Sequence, residues 1–422
     1  MRDAGATRAE TGLIVVWPNA WWSRDRVLEL ASERLTVIDV NEVRWSPERT
    51  LENYNRFYRA RLHPPYRTSL VHDKGRDGPI LVITVVDATP RYDVRHATSG
   101  EAIVSTAMFD IKAQVRAQIG GGPSIHAADN PADARRNLMM LLGRELPDPD
   151  TVTPWNGTVT VEHRDVIGAD GWDTVDQLFR ALDAAGTYVV LRNYEGLPDS
   201  LFRNGHNDID LLTSSYRDMV AMARARSLVG VLPRHGGRFH VDIAGRAMLC
   251  DIRLVGDGYY PTEWERELLA TRRRYGDLTW VPADHEYHQS LLYHALVHKP
   301  ALSHEYRTRL DEMAGALGAT HLVLGEDPSR PDRVLADVLA RRGWTVTGPK
   351  DPTVFFNRRY AGSRAPHLMR LVDALHRRAY RLFMRCSRRP ALYAVRAAKE
   401  LLVTRMPSVR SVGRTARSLI AR

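Results

Sequence analysis

Asn207-Asp208-Ile209-Asp210-Leu211-Leu212 places two carboxylates one residue apart on a segment that reads as a short strand. Alternation along a strand sends both to one face, where like charges repel. A divalent metal, a cationic partner or a proton must compensate. Asp251 in Leu249-Cys250-Asp251-Ile252-Arg253-Leu254, or Asp242, can supply a third carboxylate. Asp251 is preferred because its strand is the more buried-looking, and Arg253 would share its face. The Asp208–Asp210 pair suits Mg²⁺ or Mn²⁺, and metals of this kind assist phosphoryl or nucleotidyl transfer. Arg192-Asn193, after the strand 187–191, can supply a cation for a phosphate or a carboxylate, the phosphate being preferred, with Arg253 and Lys299 as further contacts. His294 and His298 stand four apart on one helix face, a zinc spacing without an evident acidic third ligand; packing beneath the site is the preferred role.

A second constellation lies earlier. His126 sits in Ser124-Ile125-His126-Ala127-Ala128-Asp129-Asn130 after a glycine run, Gly120 to Gly122, and Lys112 and Arg116 are four apart on the preceding helix. Histidine with two cations and a glycine run can bind an anion.

The elements that must position these residues divide the 422-residue chain into four parts. Residues 11–146 read as a small α/β unit: strands at Leu13–Trp17, Leu35–Val40 and Ile80–Val86, and helices near 23–34, 47–61, 106–118 and 131–142. One sheet with helices on one face is the expected arrangement. Residues 147–165, with Pro147, Pro149, Pro154 and Gly157, read as a linker whose Thr158–Val161 can add an edge strand to either neighbour. Residues 166–360 carry the carboxylates: a helix at 172–185, strands at 187–191 and 209–212, a helix at 215–227, a hairpin about Gly245, helices at 262–272 and 285–299, and a small helical cap ending in a strand at Val354–Asn357. Residues 361–422 carry 15 Lys and Arg against Asp373 and Glu400, so the formal charge of +10 belongs to this tail and the rest is slightly acidic. Its arginines interleave with apolar residues in helical periods, which suits an anionic membrane surface better than nucleic acid. Two cysteines imply no disulfide framework, and no apolar run approaches 18 residues; a cytoplasmic protein, peripheral at the inner face of the membrane, is expected.

The first part resembles nucleoside diphosphate kinases: Leu13–Asn19, Tyr54, Pro65-Tyr66, Leu70-Val71, Gly78-Pro79 and the His126 segment follow in that family's order. The resemblance implies a ferredoxin-like sandwich, a nucleotide ligand, a tendency to form homo-oligomers, and His126 at the position of the phosphoryl-carrying histidine. Trp17 replaces a phosphate-contacting lysine and Pro123 an asparagine, which implies altered chemistry on a retained fold. Residues 166–345 resemble the nucleotidyltransferase superfamily in the order of strand, turn, Asp-x-Asp strand, helix and acid-bearing strand, with Arg192-Asn193 in place of its Gly-Ser turn. Phosphotransferases of the LicD type resemble the same arrangement of acids. Together these imply a metal-dependent transferase in which Asp208 and Asp210 ligate the metal and Asp251, or Asp242 in its place, completes the site or acts as base, with a nucleotide or nucleotide-sugar donor and a glycan, lipid-linked or small-molecule acceptor.

Overall fold

The computed structural model describes residues 8–97, 100–199, 208–228, 232–351 and 354–360. The basic tail expected at 361–422 lies outside the described residues, as do Gly205 to Asn207. The chain forms two compact units. The first comprises residues up to Trp172 with Arg180–Gly186 and Arg217–Arg224; the second comprises Asp173–Phe179, Thr187–Tyr216 and the residues from Ala225 onward. Among the described residues no helix is long and apolar enough to cross a membrane.

In the first unit the order is β1 (Glu10–Val16), α1 (Arg24–Arg34), β2 (Thr36–Arg44), α2 (Thr50–Phe57), α3 (Ser69–Lys74), β3 (Ile80–Asp87), β4 (Tyr92–Ala97), β5 (Gly100–Ser105), α4 (Thr106–Gln118), β6 (Ile125–Ala127), α5 (Pro131–Leu142) and β7 (Thr160–His163). The sheet order is β6-β1-β3-β2-β7, and β1 runs antiparallel to both β3 and β6. Four of its strands with α1 and α4 reproduce the β-α-β-β-α-β ferredoxin-like path. Continuous apolar runs put β1 and β3 at the centre, and Leu13 to Val16 are wholly buried. Ile14 and Val16 share a core with Val27 and Leu30 of α1 and Ile111 and Val115 of α4. Leu13 and Val15 point the opposite way by strand alternation, and α5 also packs on β1. Helices on one face alone, the expected arrangement, would leave that second apolar row in water. The helix expected at 47–61 is shorter, and α3 and the hairpin β4–β5 were not anticipated. The linker's strand joins the first unit, with β7 parallel to β2.

The second sheet has the order β10-β11-β12-β9-β8, from β8 (Tyr188–Val190), β9 (Asp208–Thr213), β10 (Arg226–Ser227), β11 (Gly237–Ile243) and β12 (Arg246–Leu254). β9 is antiparallel to β8 and parallel to β12, and β11–β12 is the hairpin expected about Gly245. Helices α6 (Val175–Ala185), α7 (Tyr216–Ala223) and α8 (Thr262–Ala270) precede the short hairpin β13 (Arg273–Tyr275) and β14 (Thr279–Val281). Then come α9 (Asp284–Val297), α10 (His304–Ala316) and α11 (Arg330–Arg341). Trp264, Leu292, Tyr293, Leu296, Leu310 and Leu335 join these helices in one core. Val354–Asn357 is irregular, not a strand; Asn357 instead bonds back to the end of α9 through Val297 O.

Candidate functional site

A cavity of about 470 Å³ opens in the first unit, within the usual size of small-ligand pockets. Helix α4 starts at Ser105, whose side chain accepts from Met108 N, and this cap fixes its rotation. Phe109, Lys112, Ala113 and Arg116, at i, i+3, i+4 and i+7, then share one face and line the cavity. His126 of β6 and Lys74, the last residue of α3, line it too. Gly75 ends α3 at φ +101, a conformation L side chains rarely adopt, and a Cβ there would meet Pro18 Cβ at 2.8 Å.

Lys74 is the residue the sequence did not advertise. It is 3% exposed, its Nζ stands 4.5 Å from the centre of the Tyr58 ring, and among the described residues it has neither an ion pair nor a hydrogen bond. Burial pushes its ammonium down to about 8. Burial also lowers Lys112, against the pull of Asp129 at 3.5 Å. Burial lowers Arg116, whose Nη2 donates to Ile125 O at 2.9 Å while Nε is buried with no partner among the described residues. Arg67 and His96 complete the basic wall, and Asp73 and Asp129 are the acids on it. Trp17, at the position implied for a lysine, is wholly buried and donates from Nε1 to Tyr58 Oη at 2.7 Å. Lys74 and Trp17 thus both bear on Tyr58, one on its ring and one on its hydroxyl. Of the expected anion contacts, Lys112, Arg116 and His126 come together. The glycine run does not line the cavity, and Gly121 N is spent on Arg116 O at 2.6 Å.

His126 is held from α5. Asn130 caps that helix by accepting from Asp133 N at 2.9 Å, and Pro131 suits its first turn. Asp133 and Asn137, four apart, then face the imidazole: Asn137 Nδ2 lies 2.8 Å from His126 Nε2, and Asp133 Oδ2 lies 3.7 Å from it. Phe57 and Tyr58 pack edge-on against the ring at 5.3 and 6.0 Å. Burial pushes His126 down to about 4 despite Asp133, so the ring is neutral. Burial alone would raise Asp133, but Arg136 and the other positive charges around it together hold the carboxyl at about 2.

In the second unit Asp210 and Asp251 are direct partners across the parallel strands β9 and β12, with Asp208 opposite Leu249. Asp242 is remote from this pair in register, opposite Ala247, and bonds to Arg226 at 2.8 Å. Arg192 Nη2 meets Asp210 Oδ1 at 2.8 Å. Asn193, at φ +60, accepts from Arg309 Nη1 at 3.0 Å. Arg253 Nη2 lies 2.7 Å from Asp251 Oδ1, and its Nη1 meets Asp351 Oδ2 at 2.8 Å. Burial pushes Asp210 up to about 6, with Asp208 and Asp251 repelling it and Arg192 opposing. Burial would raise Asp251 too, but Arg253 and Arg238 hold it below its ordinary value.

Hard carboxylate oxygens suit Mg²⁺ or Mn²⁺. Here two of the three carboxylates are already neutralised by guanidinium groups, and among the described residues no group of three or more His, Cys, Asp or Glu is arranged to hold a metal ion. As arranged, Asp210 and Asp251 each make a paired Arg–carboxylate contact. Arg192 and Arg253, expected to face a substrate phosphate, are committed to acids. Lys299 makes no hydrogen bond or ion pair among the described residues, and burial lowers it. His294 Nδ1 bonds Tyr259 Oη at 2.6 Å, and His298 lies between Tyr259 O at 2.7 Å and Phe355 O at 3.2 Å. Both histidines are thus tied into packing around Tyr259.

No family model matches the sequence, and no curated protein matches it. Among solved structures, an orthorhombic C222 crystal form of the Aquifex aeolicus nucleoside diphosphate kinase matches with 20% identity and a TM-score of 0.23. The match covers 33% of this chain and 99% of that one.

Proposed function

We propose that the first unit binds a phosphorylated ligand of the nucleotide class in the His126 cavity. The observation that carries this reading is Lys74. A buried ammonium with no acid in direct contact is costly, and an anionic ligand relieves that cost beyond what the nearby Asp73 supplies. Lys112 and Arg116 converge on the same space with depressed basicity, Lys112 sharing its charge with Asp129 at 3.5 Å, so a phosphate there meets three cations. Phe109 offers an apolar face beside them. The test is a thermal-shift series on the full chain with pyrophosphate, ADP, ATP and sugar nucleotides, with and without Mg²⁺. A ligand at a hundred times its Kd adds about 2.7 kcal/mol to the native state. Stabilisation by phosphorylated ligands that is lost in Arg116→Ala supports the reading. Equal shifts in both proteins refute it.

One observation favours a second reading, phosphoryl or nucleotidyl transfer in the second unit: the acids Asp210 and Asp251 stand side by side on β9 and β12 with Asp208 two residues away. In that reading Lys299 furnishes the uncommitted positive charge, Arg192 and Arg253 hold the acids in place, a nucleotide or nucleotide sugar is the donor, and a glycan or lipid-linked alcohol the acceptor. An Mn²⁺ titration followed by electron paramagnetic resonance distinguishes its metal-dependent form: saturable binding lost in Asp208→Ala supports it, and no binding rules it out.

A further inference from the structure

Asn137 decides which nitrogen of His126 carries the proton. Its Oδ1 accepts from Arg136 Nη2 at 2.7 Å, while its Nδ2 lies 3.2 Å from Asp133 Oδ2 and 2.8 Å from His126 Nε2. The reversed amide would set oxygen against the Asp133 carboxylate and nitrogen against the Arg136 guanidinium, two repulsive contacts in place of two bonds. Arg136 and Asp133 are themselves joined at 2.6 Å, so neither can turn away without breaking that pair. Both protons of Nδ2 are thus spent, one on Asp133 and one on the imidazole. Nε2 is an acceptor, and the ring proton sits on Nδ1.

That tautomer has a chemical consequence. A phosphoryl-accepting imidazole needs an unprotonated nitrogen whose lone pair is free to meet phosphorus. Nε2 has its lone pair held by the Asn137 amide, and Nδ1 carries hydrogen. Among the described residues Nδ1 makes no hydrogen bond, and His126 lines the cavity beside Lys112 and Arg116. We infer that His126 binds the ligand non-covalently, donating from Nδ1–H to a phosphate oxygen, and that no phosphoryl group passes to it. The inference rests on the phosphate reading above and gives that site a binding role in place of histidine phosphorylation. The ring stays neutral across physiological pH, because burial outweighs Asp133, so the donor is present throughout.

The experiment uses the full chain labelled with ¹⁵N-histidine, the His126 signals being assigned by their loss in His126→Phe. Long-range ¹H–¹⁵N spectra should show protonated Nδ1 and unprotonated Nε2, unchanged between pH 6 and 8. ATP or pyrophosphate should move the Nδ1 signal, and His126→Phe should weaken binding about tenfold, as expected for one lost hydrogen bond to a charged group. In parallel, incubation with γ-labelled ATP and Mg²⁺ should leave no acid-labile label on the protein. A proton on Nε2, or an acid-labile label absent from His126→Phe, overturns the inference while the phosphate reading stands. If calorimetry finds no binding of ATP or pyrophosphate, the phosphate reading falls and the donor role with it.

Discussion

Replacing Lys74 by methionine should stabilise the protein while weakening its hold on phosphate. Methionine keeps the length of the side chain and removes the charge. In the fold the ammonium is lowered from the ordinary 10.5 to about 8, which corresponds to about 3 kcal/mol of unfavourable charge burial at pH 7. The contact with the Tyr58 ring is lost in the variant, which returns roughly 1 to 2 kcal/mol. A net gain of about 1 to 2 kcal/mol remains. The sign with pH follows from linkage. Between about 8 and 10.5 the unfolded chain binds more protons at this site than the native one, so wild-type stability rises there from this group. The variant's advantage is therefore full below pH 8 and fades as pH climbs toward 10.5. Urea unfolding followed by tryptophan fluorescence at pH 7 and pH 9.5 measures both values. A variant less stable than wild type at pH 7, or an advantage that grows with pH, refutes the assignment of Lys74 as an under-compensated buried cation.

Other outcomes follow from the same geometry. Above pH 7.5, where the phosphate is fully ionised, its affinity should fall as pH rises through 8, because the bound anion favours protonated Lys74; calorimetry at four pH values between 7.5 and 9.5 reads this, and an affinity that rises over that range contradicts it. Gly75→Ala should destabilise by about 1 to 3 kcal/mol, since the new methyl meets Pro18 and Asn19 at a φ of +101, and it should also weaken phosphate binding by displacing Lys74. In the second unit, Arg192→Met leaves Asp210 buried without its cation and should cost about 3 to 5 kcal/mol, whereas Arg192→Met with Asp210→Leu should recover most of that loss. A double variant no more stable than the single one would show that the pair does not act as a unit.

The parts of the site carried by regular spacing were readable from the sequence. Lys112 and Arg116 lie one helical turn apart, and His126 sits in a short strand before a helix whose cap, Asn130-Pro131, is written in residue types. The central strands announce themselves as apolar runs, and Asp210 and Asp251 follow from strand patterns. Lys74 was not readable, because more than thirty residues separate it from Lys112 and it ends a six-residue helix with no distinctive period. Its one signal is the neighbouring glycine, which only the positive φ makes meaningful. Arg192 was assigned to a phosphate because the sequence cannot show that it reaches Asp210, eighteen positions later on the next strand. The hairpin β4–β5 escaped because Val94 and Ile103 face solvent while Val104 is buried, so its apolar residues form no single stripe. Asn137 stands on a recognisable helix, but its role depends on three partners set by tertiary packing.

The most direct measurement is an isothermal titration of ATP into the full chain, repeated with Lys112→Met and Arg116→Ala. One saturable site per chain is predicted, weakened ten- to a hundredfold in each variant, the loss expected for a charge-assisted contact of about 1.5 to 3 kcal/mol. Absent binding in the wild-type chain, or affinity that neither substitution changes, would contradict the cavity as the site of phosphate recognition.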